Sequence, residues 1–155
     1  MFENLLQKSY KEYLKLNKNL IISFIVAIAL SAITAQLLSG QEIHLNSSYT
    51  LVVDFVTFYG AFSALFYLDN RKKYRLESGK VDTPRLKKDL LKIISSLGVG
   101  EIIYLTARWS LQYYFLAINY EPYLASLVAH LISTALYMIV VNLGVNLMRL
   151  YKDGT

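Results

Sequence analysis

The amino-acid sequence predicts an all-α fold: an integral membrane four-helix bundle made of two parallel-repeat helical hairpins, with both termini cytoplasmic. Three observations predict it. Of 155 residues, 55% are hydrophobic and only 17% charged, with a mean hydropathy of +0.37, far more apolar than a soluble domain of this length needs. Four apolar runs recur, each long enough at 1.5 Å per residue to cross a hydrocarbon core of ~30 Å. The 16 Lys and Arg residues lie in blocks between these runs. Residues 1–155 therefore read as a single membrane domain.

The first run, residues 20–38, carries no charge. A signal peptide is the competing reading, but the preceding segment is long, Ala35 has Ile33 rather than a small residue two positions before it, and further runs follow. A retained span is expected. The second run, 50–68, is apolar except for Asp54; the third, 93–117, contains Glu101 and Arg108; the fourth, 123–147, contains His130. Such runs could instead be core helices of a soluble protein, but this chain has too little polar surface left to cover four of them.

Lys and Arg set the expected orientation. Four lie in residues 1–19, nine in 71–92, two after the fourth run and one, Arg108, inside the third; the segments 40–49 and 118–122 have none. The latter two then face outward, and both termini and the basic loop 69–92 face the cytoplasm. Tyr49, Tyr113, Tyr114, Tyr120 and Tyr123 would form an outer aromatic belt, with Tyr13, Tyr67, Tyr74 and Tyr151 at the inner boundary.

Before the first span, Phe2, Leu6, Tyr10 and Tyr13 recur at helical spacing opposite Lys8, Lys11 and Lys15, predicting an interfacial helix over 2–17. In the basic loop, Glu77-Ser78-Gly79 reads as a turn, and Thr83-Pro84 as an N-cap followed by proline in the first helical position. A helix starting there should run unbroken into the third span. Its Arg85, Lys87, Lys88 and Lys92 are suited to anionic lipid head groups, each contributing about 1 kcal/mol near the surface. Nucleic acid is not an expected partner.

Each half repeats a basic lead-in, a span, a short outer loop and a second span. Ile21-Ile22-Ser23 recurs as Ile93-Ile94-Ser95, and Asn70 as Asn142, at an offset of 72. The copies would share one orientation and be related by an axis along the membrane normal. Ser23, Ala27, Ser31 and Ala35 stack four apart on one face, as do Gly60 and Ala64, and Gly98 and Gly100 read as close helix contacts.

The polar residues inside the spans are the candidate site. Counted down from the outer boundary, Asp54 lies ~8 Å deep, His130 ~10 Å and Arg108 ~15 Å, while Glu101 sits ~12 Å above the inner boundary. Each buried charge costs about 2.5–3.5 kcal/mol on insertion scales, so it should face the bundle interior and be paired. Arg108 would pair with Asp54, or with Glu101 through a bend or a water. One reading is a buried salt bridge that sets helix register, with His130 as a neutral hydrogen-bond partner. Another is an anion site in which Arg108 holds a phosphate or carboxylate, and a third is proton coupling through Glu101 or His130. With no Cys, only two His and neither a metal-binding His motif nor a glycine-rich phosphate loop, no enzyme activity, metal or cofactor is expected.

At the inner ends of the even-numbered spans stand Asn70-Arg71-Lys72-Lys73-Tyr74 and Asn142 with Asn146, Arg149 and Tyr151. These segments, with four spans and the small-residue stretch Leu97-Gly98-Val99-Gly100, resemble the GtrA-like family of small membrane proteins. The first span lacks that family's Gly, Asn and Asp, and Arg71 and Arg149 stand at different offsets from their Asn. The resemblance implies translocation or presentation of a polyprenyl-phosphate-linked sugar for cell-surface polysaccharide synthesis. Arg108, with the Arg71/Lys72/Lys73 cluster, would meet the phosphate. The alternatives are a small accessory subunit, in a homo-oligomer or beside a larger membrane protein, and a proton-coupled exporter of small cations using Glu101.

Overall fold

The computed structural model describes the backbone of residues 2–96 and 98–152, and the side chains of 14–95, 98 and 100–140. Five helices follow one another: α1 (Phe2–Leu37), α2 (Ile43–Asn70), α3 (Thr83–Ser96), α4 (Gly98–Ala117) and α5 (Pro122–Lys152). No strand occurs among the described residues; one isolated antiparallel bridge joins Arg75 and Val81. Three helical segments, Leu14–Leu37, Ile43–Asn70 and Pro122–Val140, are long and apolar enough to cross a membrane.

Several boundaries differ from those the sequence predicts. The expected interfacial helix over 2–17 is no separate element: α1 is continuous from Phe2 to Leu37. Only Asn17, Lys18 and Asn19 separate the amphipathic lead-in from the apolar run, with neither Gly nor Pro to break the helix. The side chains of Phe2, Leu6, Tyr10 and Tyr13 lie outside the described residues. Helix α2 starts at Ile43, shortening the first outer loop. The third predicted span is divided: Ile93 and Ile94 belong to α3, which is bent by 68° from α4. Ile21-Ile22-Ser23 lies within a straight run of α1, whereas Ile93-Ile94-Ser95 ends α3, so the two copies do not occupy equivalent positions.

Local chemistry explains the turns. Asp82 caps α3 in place of Thr83, accepting a 3.2 Å bond at Oδ1 from the Arg85 N–H. Gly79 closes the turn that begins at Leu76, donating its N–H to the Leu76 carbonyl at 2.9 Å, with φ of 78°. At the end of α4, Asn119 takes a φ of 63°. Its N–H donates to Leu116 and that of Tyr120 to Phe115, the paired bonds of a Schellman cap. The Asn46 side chain serves the end of α1 from α2, donating from Nδ2 to the carbonyls of Ala35 and Leu38, each at 2.9 Å. The Leu38 carbonyl also accepts from the Gln41 N–H at 3.0 Å.

Helix α1 packs along α2, α4 along α5, α1 also on α5 and α2 on α4. Burial is inverted relative to a water-soluble protein. The interior holds Ser23, Ser31, Asn46, Thr50, Asp54, Arg108, Gln112, Ser126, His130 and Ser133, whereas Ile25, Val56 and Ile102 are 61%, 64% and 68% exposed. Large apolar faces turned outward and polar groups turned inward suit a lipid surround. Ser23, Ala27, Ser31 and Ala35 of α1 are all fully buried, as are Ala125, Ser126, Ala129 and Ser133 of α5. The Ser126 hydroxyl reaches that of Ser31 at 3.4 Å. Small residues on both helices permit that approach. Gly60 and Ala64, by contrast, face outward within this chain, and a side chain at Gly60 or Gly98 would meet nothing within 4 Å.

Replacing Asn46 by Ala should destabilise the fold by about 1–3 kcal/mol, because it removes a buried donor from the Ala35 carbonyl and one of two donors from the Leu38 carbonyl. Denaturation in mixed micelles measures this, and no loss of stability would show that those carbonyls find other donors.

Candidate functional site

Four helices contribute to one polar cluster. Arg108 of α4 is fully buried. Its Nη1 donates to Gln112 Oε1, one helical turn on. Its Nη2 donates to Ser126 Oγ of α5 at 2.8 Å and reaches Ser31 Oγ of α1 at 3.5 Å. Its Nε lies 3.5 Å from Asp54 Oδ2 of α2 and has no hydrogen-bond acceptor. The guanidinium fork thus touches all four packed helices, which a lysine ammonium of single reach would not do.

Asp54 is the second centre. It receives a 2.6 Å hydrogen bond at Oδ2 from the Tyr104 hydroxyl, and its Oδ1 lies 3.1 Å from His130 Nδ1. The latter approach is ion-pair distance without hydrogen-bond alignment, since Oδ1 has no hydrogen-bond partner. Tyr104 Oη is 3.3 Å from the same imidazole nitrogen. Because the Tyr104 proton points to Asp54, the hydroxyl oxygen is free to accept, which favours the neutral tautomer with hydrogen on Nδ1. His130 Nε2 is then a buried lone pair, and it has no partner among the described residues.

The cluster continues outward. Gln112 Nε2 donates to Asn46 Oδ1 at 3.1 Å, and Thr50 Oγ1 donates to the same oxygen at 3.4 Å. Asn46 also borders a depression of about 310 Å³ between the α1–α2 and α4–α5 loops, with Ser39, Gln41, Asn119, Tyr120 and Glu121 on its rim. Inward, Phe24, Phe58, Tyr104 and Tyr137 place one aromatic ring from each of α1, α2, α4 and α5 beneath Asp54.

Asp54, Arg108 and His130 therefore meet in one cluster. Glu101 does not join Arg108: it lies near Tyr59 of α2 and lines a small cavity together with Asp54. Tyr104, Gln112, Asn46, Thr50 and Ser126 complete the cluster without having been singled out in the sequence. Tyr104, Arg108 and Gln112 recur every four residues, a polar stripe legible in the 3.6-residue period of α4.

Of the predicted cytoplasmic-end motif, only the first half lies among the residues whose side chains are described. Asn70 donates from Nδ2 to the Phe66 carbonyl of its own helix at 2.9 Å. Arg71 is exposed. The side chains of Asn142, Asn146 and Arg149 lie outside the described residues. Tyr74 is no interfacial anchor but fully buried, donating its hydroxyl to Asp89 Oδ2 of α3 at 2.7 Å. Lys73 Nζ meets the same oxygen at 2.7 Å. A backbone bond from the Asp82 N–H to the Tyr74 carbonyl, 2.7 Å, completes a latch that holds the loop 71–82 to the start of α3.

Hydrogen bonds from Lys73 and then Tyr74 hold the Asp89 carboxyl below the usual range, and the bond to Asp89 raises the Lys73 ammonium. Burial, then the Asp89 carboxylate, raises the Tyr74 phenol. Compared with protein-family models, curated proteins and solved structures, the chain matches none.

Two outcomes are expected. Asp54→Ala should destabilise the protein by about 3–5 kcal/mol by leaving Arg108 buried without its counter-charge, and the Asp54→Leu/Arg108→Met pair should cost far less than the sum of its single changes. Additive losses in mixed-micelle unfolding would show that the pair is uncoupled. Because Asp89 is depressed in the folded chain, its contribution is complete above the ordinary Asp value of about 4 and lost as pH falls through the depressed value. Hydrogen exchange at the Asp82 amide should accelerate over that window after correction for intrinsic rates, and Asp89→Asn should remove the pH dependence.

Proposed function

We propose that the chain is a four-span membrane protein that translocates or presents a polyprenyl-phosphate-linked sugar, with Arg108 as the phosphate partner. In this reading α4 is the third crossing and α5 the fourth, α3 lies at the inner boundary, and both termini and the basic segment 71–92 are cytoplasmic. Support for the crossing comes from α4's position against α2 and α5, with Tyr104, Arg108 and Gln112 buried and Ile102 exposed. Its polar residues lower its mean hydropathy, yet they face protein rather than lipid. Support for the orientation comes from the nine Lys and Arg between residues 71 and 92 and their absence from the segments 38–42 and 118–121.

The observation that carries the functional reading is the Arg108 Nε–H, buried, cationic and without a hydrogen-bond acceptor. A phosphate oxygen taking the place of Asp54 would satisfy it. An apolar groove of about 180 Å³ between α1 and α5, lined by Leu20, Ile21, Ile25 and Met138, suits a lipid tail. The outer depression, rimmed by amide and hydroxyl groups, suits a sugar. A second reading, an accessory subunit, is favoured by one specific observation: both terminal nitrogens of Arg108 are already engaged within the chain.

Native mass spectrometry of protein purified in membrane discs distinguishes the two. A stoichiometric polyprenyl-phosphate species is expected, retained about tenfold or more less well in Arg108→Gln, since a hydrogen bond to a charged group contributes ~1.5–3 kcal/mol. A larger membrane protein at fixed stoichiometry, with no such lipid, would make the chain an accessory subunit.

A further inference from the structure

Glu101 is an ionisable, half-buried group of α4 that the phosphate reading leaves unused. It lines, with Asp54, a cavity of about 10 Å³ walled by Phe24, Phe58, Tyr104 and Tyr137. That is room for about one water, and no lipid or sugar enters it. The groups facing Glu101 can be counted helix by helix. Helix α1 offers Phe24 and no charge; α2 offers Asp54 and the nearby Tyr59; α4 offers Tyr104; α5 offers Tyr137; Arg108 and His130 stand on the other side of Asp54, 3.5 and 3.1 Å from its carboxylate.

Charge balance follows from this count. Arg108 is a permanent cation. Asp54, at 3.5 Å from it, is its counter-ion. An ionised Glu101 would leave a net negative charge in a low-dielectric interior, where such a charge is strongly disfavoured. The only other group able to supply a compensating proton there is His130. An imidazolium would leave the Nε2–H buried without an acceptor, because Nε2 has no partner among the described residues. His130 is therefore the poorer carrier.

We propose that Glu101 is an intramembrane proton-binding site, holding one proton per chain whose occupancy is set by the Asp54–Arg108 pair across the water-sized cavity. The proposal is independent of the lipid reading. Positive charge entering the cavity, or a proton arriving on His130, displaces the Glu101 proton, so the site exchanges a proton for positive charge.

A hydrophobic carbodiimide tests this, because it adds to protonated carboxyl groups in apolar surroundings. The acid gives its proton to a carbodiimide nitrogen, the carboxylate oxygen bonds to the central carbon, and oxygen-to-nitrogen acyl migration leaves a stable N-acylurea containing the whole reagent. At neutral pH in membrane discs, peptide mapping should find one adduct per chain, at Glu101, and Glu101→Gln should abolish it. Asp54→Asn keeps Glu101 but makes it the only counter-ion of Arg108, so labelling should fall at least tenfold. Asp54→Asn/Arg108→Gln removes both charges and should restore it. Should Asp54→Asn fail to fold, Arg108→Gln serves instead: with no cation present, both Glu101 and Asp54 should label. Absence of a Glu101 adduct in the wild-type protein overturns the proposal. So does labelling unchanged by Asp54→Asn, or a single adduct in Arg108→Gln, since either result means that burial alone, without charge balance, sets the proton.

Discussion

A guanidinium removed from water has to be surrounded by acceptors, and that requirement at Arg108 organises the rest of the structure. Its three nitrogens are directed to three separate places. Nη1 finds the next turn of its own helix, Nη2 finds hydroxyls on α5 and α1, and Nε faces the carboxylate of α2. Helix register follows from these directions. Sliding α2 by one turn would move Asp54 about 5.4 Å along the axis and leave the charge unopposed. Small residues at Ser31 and Ser126 follow from the same geometry, because larger side chains there would both fill the space of the guanidinium and remove its acceptors.

The polar network runs from Arg108 to the outer end of the fold without a gap. Gln112 passes the connection to Asn46, and Asn46 ties it to the last carbonyls of α1. In water such a chain would contribute little, since each bond exchanges with solvent. Surrounded by lipid, its members have no alternative partners, and each unsatisfied group is costly. The same reasoning explains why the inner half is closed by aromatic rings rather than by more hydrogen bonds. Phe24, Phe58, Tyr104 and Tyr137 fill the interior beside Asp54 and line a cavity of about 10 Å³ there.

Much of the helical content was legible in the sequence, and the reasons for the exceptions are physical. Three apolar helices stand where apolar runs of sufficient length predict them, with neither Pro nor a turn sequence inside those runs to break the helix. The break before α4 was not legible: Gly98 and Gly100 suggested close contacts, and the choice between contact and bend depends on what packs against them. Asp54, Arg108 and His130 could be placed at similar depth by counting residues, since rise per residue is fixed. The partner of Glu101 could not be read, because two turns of helix separate it from Arg108 and leave its facing direction to the neighbours, here Tyr59 and Asp54. Tyr74 was misassigned for a different reason. Tyrosine near a basic segment ordinarily anchors at the interface, but here Asp89, fifteen residues later, supplies the acceptor that buries it.

The closed core also constrains how any anion could reach Arg108. The guanidinium is fully buried, so a phosphate has to replace an internal partner, and the three directions are not equally replaceable. Ser126 is held by a 2.8 Å hydrogen bond, and Gln112 is anchored by its own bond to Asn46. The Asp54 carboxylate sits at 3.5 Å without hydrogen-bond alignment. It also has other donors in reach, Tyr104 at 2.6 Å and His130 at 3.1 Å. Asp54 is thus the partner that can leave Arg108 and still be accommodated. An incoming phosphate would then bring its own negative charge beside the displaced carboxylate, so the exchange requires a compensating proton on Asp54 or on His130. The arrangement ties anion entry at Arg108 to protonation of the groups one helix away.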